Sequence, residues 1–305
     1  WFYYEEGRIF IEHGHQYDDY CSHDHVMHPV LPSDPRRSYR SLSDILLRYV
    51  VRPTRGMSES GHESASALDY LRFGARLGSR GMLALGRRFA VAVAALFAVW
   101  REHFSDAARW VRQEHERKLG LLAEARQISV IKLRALASLQ RPPVTRSVVR
   151  ILAGVMLDRV AMAVFGLIAL IVLIVTRWTL ELGIAVAVIA LAVGIASWLW
   201  RRARGAIDAS AGLREGAARV ASLFPAAFVV MGHTHLPEVR TTREGDAAHT
   251  YVNLGAWAEE DAPEGARPHL PASRTHLLVR DIDGRPAAAP LRWDAEEGPK
   301  RFLST

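Results

Sequence analysis

The chain has 305 residues, of which 50% are apolar and 23% are charged, and its formal net charge is +7. This length accommodates one large domain or two of ordinary size, and the apolar fraction is sufficient for a sizeable core. The single cysteine, Cys21, excludes an intrachain disulfide and fits a protein that faces the cytoplasm.

The positive charge is concentrated in the middle of the chain. Residues 35–160 contain 23 Lys and Arg against 10 Asp and Glu, whereas residues 1–34 contain seven acidic residues and one Arg. A basic region beside apolar helices favours contact with anionic lipid headgroups. No nucleic-acid-binding motif occurs, so we expect no nucleic acid partner.

A β-hairpin is predicted over residues 1–12, with its turn at residues 5–7. Its second strand runs directly into the sequence His-Gly-His at residues 13–15, and Asp18 follows. Residues 18–29 are polar and lack periodicity, which indicates a loop. Three further histidines in this loop are interpreted as solvated residues near a substrate entrance or as additional metal ligands: His23, His25 and His28.

A linker is predicted at residues 31–35, and the chain beyond it is basic and helical. A short helix begins near Ser41, and a long helical region runs from residue 67 to residue 140. Within that region the apolar run from Phe89 to Trp100 is twelve residues long, which is too short to span a bilayer. Arginines flank the run, so it is interpreted as a core helix or as a helix lying in the membrane interface.

Two uncharged segments, residues 160–176 and 182–200, predict a helical hairpin with a short connection. At about 1.5 Å per residue, each helix can match a hydrocarbon core of roughly 30 Å. Tryptophans lie at the segment ends, as is typical of residues at the membrane interface. The alternative is a buried pair of helices in a soluble domain.

Arginines on both outer sides of this hairpin predict its orientation. Three arginines lie within residues 141–150 and three within residues 201–204, whereas the connection carries only Arg177 and Glu181. The positive-inside rule then places both flanks in the cytoplasm. We therefore expect a protein of the inner (cytoplasmic) membrane, with any catalytic part facing the cytoplasm.

After the hairpin, residues 206–223 are predicted to form an amphipathic helix and residues 226–231 a buried strand. The strand ends in Gly-His-Thr-His at residues 232–235. Histidines at positions i and i+2 of a turn can direct both rings to one centre. Further strands are predicted at residues 251–254, 275–280 and 290–293, with a turn at Asp283-Gly284 and a disordered tail after Asp294.

Two histidine turns, each at the end of an apolar strand, suggest one composite metal site. Imidazole suits Mn, Fe, Zn, Co or Ni as ligand, and it does not suit Ca. A His-x-His pair alone is equally compatible with solvent exposure or simple hydrogen bonding.

Three motifs resemble those of the calcineurin-like metallophosphoesterases. They are the strand ending in His-Gly-His at residues 13–15, Gly-His-Thr-His-Leu-Pro at residues 232–237, and Val-Asn-Leu-Gly-Ala-Trp at residues 252–257. They occur in the family's order, within the first 34 and the last 100 residues. The resemblance implies an α/β fold, part of an αββα sandwich, that is interrupted here by a helical insertion with a transmembrane hairpin.

The resemblance also implies ligands for two divalent transition-metal ions (Mn, Fe, Zn, Co or Ni). His13 and His233 would bind one ion, and His235 would bind the other. The family uses such a pair of ions to activate a water that hydrolyses a phosphate ester.

Other residues near these motifs have supporting or undefined roles. His15 lies where relatives have Asp or His, and it is a possible additional ligand. Asp18 is a candidate for contacts that orient a ligand. Asn253 and Trp257 are interpreted as structural, with Asn253 able to steady the histidine turn.

The chain departs from the family pattern at its beginning. Family members start with the motifs D-x-H, G-D-x-x-D and G-N-H-(D/E), which supply the bridging carboxylate and the catalytic histidine, and none of them occurs here. No catalytic residue is therefore assigned, and the chain is interpreted as the carboxyl-terminal part of a longer enzyme or as a truncated product. The expected organisation has four parts: residues 1–34, first part of the core; 35–145, basic helical insertion; 146–205, transmembrane hairpin; 206–305, carboxyl-terminal part of the core with a disordered tail.

The leading hypothesis is a membrane-tethered metallophosphoesterase acting on a lipid-linked or membrane-proximal phosphorylated substrate. The membrane bilayer and that substrate are the expected partners. A non-catalytic membrane scaffold, or degenerate pseudo-phosphatase, is the alternative from another class. A transporter is a third, weaker possibility because one hairpin supplies few membrane spans.

Overall fold

The computed structural model describes most of the chain outside the predicted hairpin. The described residues are 1–54, 67–155, 209–244, 247–255 and 274–302, with seven isolated helical positions between residues 171 and 195. Most of the predicted hairpin over residues 160–200, and also Trp257, therefore lie outside the described residues.

The described residues contain seven α-helices. They are α1 (Leu42–Leu46), α2 (Ala67–Arg76), α3 (Gly78–Glu102), α4 (Asp106–Arg126), α5 (Val130–Ser138), α6 (Val148–Gly154) and α7 (Ala209–Leu223). A π-helical turn, Leu47–Val51, continues α1, and short 3-10 turns occur at His15–Tyr17 and Val144–Arg146. The helical region predicted from residue 67 to residue 140 is confirmed, with breaks between α2 and α5.

Serine side chains begin three of these helices. Ser41 accepts a hydrogen bond from the Asp44 N–H at the start of α1, and Ser105 accepts one from the Ala108 N–H at the start of α4. Ser147 does the same at the start of α6. Each serine satisfies a backbone donor that the helix itself cannot pair.

Ten strands lie in the described residues. They are β1 (Phe2–Glu5), β2 (Gly7–Glu12), β3 (Val30–Leu31), β4 (Asp34–Ser38), β5 (Ala226–Met231), β6 (Glu238–Glu244), β7 (Ala247–Asn253), β8 (Thr275–Ile282), β9 (Arg285–Asp294) and β10 (Gly298–Arg301). The amino-terminal hairpin and the β5 strand are confirmed as predicted.

The main sheet has the strand order β1-β2-β5-β7-β6. Its three central strands, β2, β5 and β7, are parallel, and the two outer strands are antiparallel to their neighbours. In register, Phe10 is opposite Val229, which is opposite Tyr251. The carboxyl ends of the three parallel strands consequently lie side by side.

The two faces of the main sheet are covered differently. On one face, Phe10, Val229 and Tyr251 pack with Leu213 and Val220 of α7, and residues of α4 and α5 belong to the same cluster. On the other face, three aliphatic residues of the sheet meet residues of β8: Ile9, Val230 and Val252 with Leu277 and Val279. This alternation follows from the two-residue period of a strand.

The architecture is therefore mixed α/β, with a helical layer, a five-stranded mixed sheet and the three-stranded sheet β10-β9-β8. The α/β class is confirmed. A second helical layer, which would complete an αββα sandwich, is not found among the described residues, and the calcineurin-like identity of the fold remains a prediction.

Two parts of the chain differ from the sequence-based predictions. The tail beyond Asp294 is ordered as far as residue 302, because β10 pairs with β9 and Asp294 Oδ1 accepts hydrogen bonds from the N–H groups of Glu296 and Glu297. The predicted linker at residues 31–35 lies within the two-stranded hairpin formed by β3 and β4.

Helix α3 is longer than the apolar run within it. It begins at Gly78, so Met82, Leu83 and Leu85 extend the apolar segment upstream of Phe89. In the part of the chain that the structure describes, α3 is the one helix long and apolar enough to cross a membrane. A core helix of a soluble protein passes the same criterion, so α3 is weak evidence for a membrane location.

Two glycines of α7 allow the helix to approach the 3-10 turn at His15–Tyr17. A Cβ on Gly216 would lie 2.7 Å from Tyr17 Cγ, and one on Gly212 would lie 2.5 Å from the Tyr17 carbonyl oxygen. Tyr17 itself is 2% exposed. The position of the turn beside the sheet therefore depends on the absence of side chains here.

We predict that Gly216→Ala destabilises the protein by roughly 1–3 kcal/mol, the range for overpacking a buried contact. Gly120→Ala on α4 is the matched control, because nothing lies within 4 Å of its Cβ position. It should stabilise the protein by roughly 0.5–1 kcal/mol through helix propensity. Chemical denaturation of the detergent-solubilised chain measures both, and equal stabilities would contradict the close approach of α7.

Candidate metal centre

The two histidine turns meet at the carboxyl edge of the main sheet. His13 follows β2 directly, and His233 follows β5 after Gly232. The Gly232 N–H donates to the His13 carbonyl oxygen at 3.3 Å, which extends the pairing of the two strands into the turns. The rings of His13 and His233 have centroids 5.3 Å apart. The structure thus brings together two predicted ligands from opposite ends of the chain.

Gly14 makes the first turn possible. Its φ of 95° lies in the left-handed region that side chains disfavour. A Cβ at this position would also lie 3.2 Å from both Leu213 Cδ2 and Met231 Sδ. The turn directs His15 back towards His13, and the two Nδ1 atoms are 3.3 Å apart.

Three imidazoles form a continuous chain at this edge. Beyond the contact between His13 and His15, the Nε2 atoms of His15 and His23 are 3.0 Å apart. Burial, reinforced by neighbouring imidazoles, lowers the pKa of His13, and it lowers the pKa of His15 to about 3. Burial also lowers the pKa of His23. These rings are therefore neutral at neutral pH, which is the form that binds a metal ion.

The spacing of these nitrogens is compatible with a shared cation. Two nitrogens bound to one tetrahedral ion at about 2.05 Å are roughly 3.3 Å apart. The distance between the Nδ1 atoms of His13 and His15 has this value. The Nδ1 atoms of His13 and His15 therefore have the spacing of two ligands of one transition-metal ion.

Asp18 fixes the orientation of His233. Its Oδ2 lies 2.9 Å from His233 Nε2, and its Oδ1 accepts a hydrogen bond from the Tyr20 N–H at 2.9 Å. Burial alone would raise the pKa of Asp18, but the hydrogen bonds from His233 and Tyr20 outweigh it and lower the pKa. The carboxylate is an acceptor only, so His233 carries its proton on Nε2 and leaves Nδ1 for a cation.

His235 occupies the same turn in a less favourable backbone conformation. Its φ is 58°, in the left-handed region, and its N–H donates to the Gly232 carbonyl oxygen at 3.4 Å. The side chain is exposed, and its charge contributes to the lowered pKa of His13. A strained, exposed histidine beside other imidazoles is typical of a functional position.

Asn253 holds the histidine turn from the end of β7. It is 3% exposed, and its Nδ2 donates to Thr234 Oγ1 at 2.8 Å. Its Oδ1 accepts a hydrogen bond from the Gly255 N–H at 3.0 Å. Because Thr234 lies between the two histidines, this hydrogen bond ties the histidine turn to the end of β7.

Glu12, the last residue of β2, accepts hydrogen bonds from the 3-10 turn that follows the first histidine turn. This role was not predicted from the sequence. Tyr17 donates its hydroxyl proton to Glu12 at 2.6 Å, and the Gln16 side chain also donates to it. Burial raises the pKa of Glu12 to about 7. One feature of the sequence could have indicated this role. Glu12 lies on the same strand face as the buried Phe10, where an apolar residue is expected.

Cys21 also lies beside the site. Ligand atoms of Asp18, Cys21 and His233 all lie within 4.8 Å of one another, and within the described residues this is the group of three suited to an ion. Cysteine was not among the predicted ligands, because a lone thiol has no spacing pattern.

The other loop histidines lie apart from this edge. His25 lies beside His115 with ring centroids 5.3 Å apart, and His28 Nδ1 is 2.9 Å from Lys118 Nζ. Both contacts are with α4. Of the three loop histidines, only His23 reaches the candidate centre.

Comparisons with known proteins give no match: no family model, no curated protein and no solved structure matches the chain.

We predict that Asp18→Asn weakens metal binding by about 10–100-fold, since outer partners of metal-binding histidines have effects of this size. The reason is that the neutral amide no longer fixes the proton on His233 Nε2. Titration of the full chain with Zn²⁺ or Co²⁺ under reducing conditions measures the affinity.

Asp19→Asn is the matched control for this experiment. Asp19 pairs with Arg150 and touches no histidine of the centre among the described residues. The Asp19→Asn substitution removes the same charge one residue away. The metal affinity of this variant should therefore stay near that of the unsubstituted chain. Equal affinities of Asp18→Asn and Asp19→Asn would exclude the orienting role of Asp18.

Proposed function

We propose that the protein is a metal-dependent phosphoesterase whose catalytic part is attached to the membrane by the hairpin over residues 146–205. One observation carries the proposal. Histidine turns that follow β2 and β5 meet at the carboxyl ends of parallel strands, with the His13 and His233 rings 5.3 Å apart. This edge is where open α/β sheets bind ligands. The resemblance of the motifs supports the reaction class.

In this proposal His13 and His233 hold one divalent cation and His235 the other. Two such cations would supply a nucleophile at neutral pH and would compensate charge on the phosphoryl oxygens. The chain contributes neutral and oriented ligands. Burial keeps the His13 imidazole unprotonated, Asp18 orients His233, and Asn253 holds the turn that carries His235.

The chain supplies part of a dinuclear site. Adjacent cations repel strongly, so a pair of them requires an anionic ligand between them. The nearest described carboxylates are already engaged, Glu12 with Tyr17 and Asp18 with His233. The resemblance assigns the bridging carboxylate to the motifs D-x-H, G-D-x-x-D and G-N-H, which do not occur in this sequence.

The same observation favours the second candidate, a non-catalytic membrane scaffold related to phosphoesterases. A degenerate relative would retain the histidine turns without the anionic ligands. The number of bound metal ions distinguishes the two candidate functions when a segment with the motifs D-x-H, G-D-x-x-D and G-N-H is added to the chain. The enzyme would then carry two ions, and the scaffold none or one.

Two features support the membrane attachment: the uncharged segments in the sequence, and the exposure of the few helical residues that the structure describes within them. Ile171, Val188, Leu191 and Ile195 are helical, and between 50% and 65% of each is exposed. Exposed aliphatic side chains on helices fit a lipid environment better than water. We propose that the substrate is a phosphate ester of a lipid or of a molecule close to the membrane.

We predict that residues 1–305 alone bind at most one metal ion weakly and hydrolyse no aryl phosphate. A version extended by a segment carrying the three missing motifs should bind two metal ions and hydrolyse an aryl phosphate. Metal analysis and aryl phosphate hydrolysis in detergent measure both. Two tightly bound ions with clear turnover in residues 1–305 would show that other residues build the site.

In the extended version, alanine at His13, His233 or His235 should abolish hydrolysis with little loss of stability, because each side chain lies in an edge turn. His28→Ala is the matched control, since His28 contacts Lys118 and not the centre. A histidine whose removal leaves hydrolysis unchanged is not a ligand.

The proposed topology predicts that Thr179 and Ser210 lie on opposite sides of the bilayer. Single cysteines at these positions, in a Cys21→Ser background, should react with an impermeant maleimide from opposite faces of sealed vesicles. Reaction from the same face would mean that the helices are buried in protein, and the membrane attachment would be wrong.

A further inference from the structure

Helix α3 has one face packed into the protein and one face uncovered. Leu85, Ala92, Leu96 and Val99 are buried in a cluster with residues of α1 and α6. The opposite face is exposed along the whole helix and is mainly apolar. Its exposed residues include Arg80, Leu83, Ala84, Arg87, Ala90, Val91, Ala94, Ala98 and Arg101.

The packing of α3 argues against its crossing a membrane, because residues of α1 and α6 cover its buried face. The helix α1 beside it carries Asp44, which pairs with Arg48 of the π-helical turn, and both side chains are well exposed. Such charges are costly in hydrocarbon, so this part of the protein stays at the water side. A helix with one apolar face and basic residues suits the plane of the interface.

A basic groove runs between α3 and the π-helical turn. Its volume is about 570 Å³, and the residues that line it are Tyr49, Pro53, Arg80, Leu83, Ala84, Arg87, Arg88 and Val91. Arg88 donates to Thr54 Oγ1 at 2.7 Å. The described lining contains three arginines and no acidic residue, which is the complement of an anionic headgroup beside apolar chains.

The buried face of α3 adjoins the place where the chain enters the proposed hairpin. Ile151 of α6 and Val155, just after it, pack in the same cluster as the buried face of α3. The proposed transmembrane segments follow directly in the sequence. If these segments are in the bilayer, α3 is held close to its surface.

We propose that the exposed face of α3 binds an anionic phospholipid surface, with a headgroup phosphate in the groove held by Arg80, Arg87 and Arg88. Leu83 and Val91 insert among the acyl chains beside it. The inference rests on the membrane attachment proposed above and is independent of the phosphoesterase activity.

The test uses the full chain in nanodiscs of phosphatidylcholine alone or mixed equally with phosphatidylglycerol. A photoreactive benzoylphenylalanine replaces Leu83, and in a control version it replaces Ile131 of α5. The two positions are similarly exposed, at 78% and 74%. We expect lipid cross-links at position 83 in large excess over position 131, increasing when phosphatidylglycerol is present.

The arginines are tested with the probe at position 83. Arg80→Gln with Arg87→Gln should reduce the preference for phosphatidylglycerol several-fold, since one basic residue at an anionic surface contributes roughly fivefold in binding. Arg36→Gln with Arg134→Gln is the matched control, because it removes the same charge from exposed sites elsewhere. This control should retain the preference.

Three outcomes would overturn the proposal: equal cross-linking at positions 83 and 131, no preference for phosphatidylglycerol, or cross-links at position 83 to a second copy of the chain. Hydrolysis does not enter any of these readouts. A failure of the phosphoesterase proposal therefore leaves the lipid result unchanged, and the two failures are distinguishable.

Discussion

The parallel pairing of β2 with β5 is the constraint on which the candidate centre depends. This pairing places Ile11 opposite Val230, so both strands end at the same level. The histidine turns that follow them therefore lie side by side. A shift of one residue would move Phe10 from the helix-covered face to the opposite face. Burial of Phe10 and Val229 under α7 therefore keeps His13 beside His233.

Much of the fold could be predicted because its signals are local. The uninterrupted apolar run of β5 is typical of a central parallel strand that is buried on both faces. Ser41 marks the start of α1, and Asp283-Gly284 marks the turn between β8 and β9. The histidine motifs at residues 13–15 and 232–235, each at the end of an apolar strand, predicted both the two turns and their meeting in one site.

Other features could not be predicted because they depend on distant partners. The ordered tail requires β9 as a template, and the hairpin of β3 with β4 has little apolar alternation to reveal it. The support of Glu12 by Tyr17 depends on the turn geometry that α7 imposes through Gly216. Asp18 was a candidate for an orienting role, but its partner among the histidines became evident only in three dimensions.

The contact between β2 and β5 also has a consequence for how the protein is made. Asp18 and His233 are 215 residues apart, so the amino-terminal hairpin leaves the ribosome long before its neighbour exists. At about 5–20 residues per second, the interval is roughly 10–40 seconds. Until then β2 has an unpaired edge that can associate with other chains. The segments between residues 146 and 205, for which membrane attachment is proposed, are synthesised within this interval, before β5 can close the sheet.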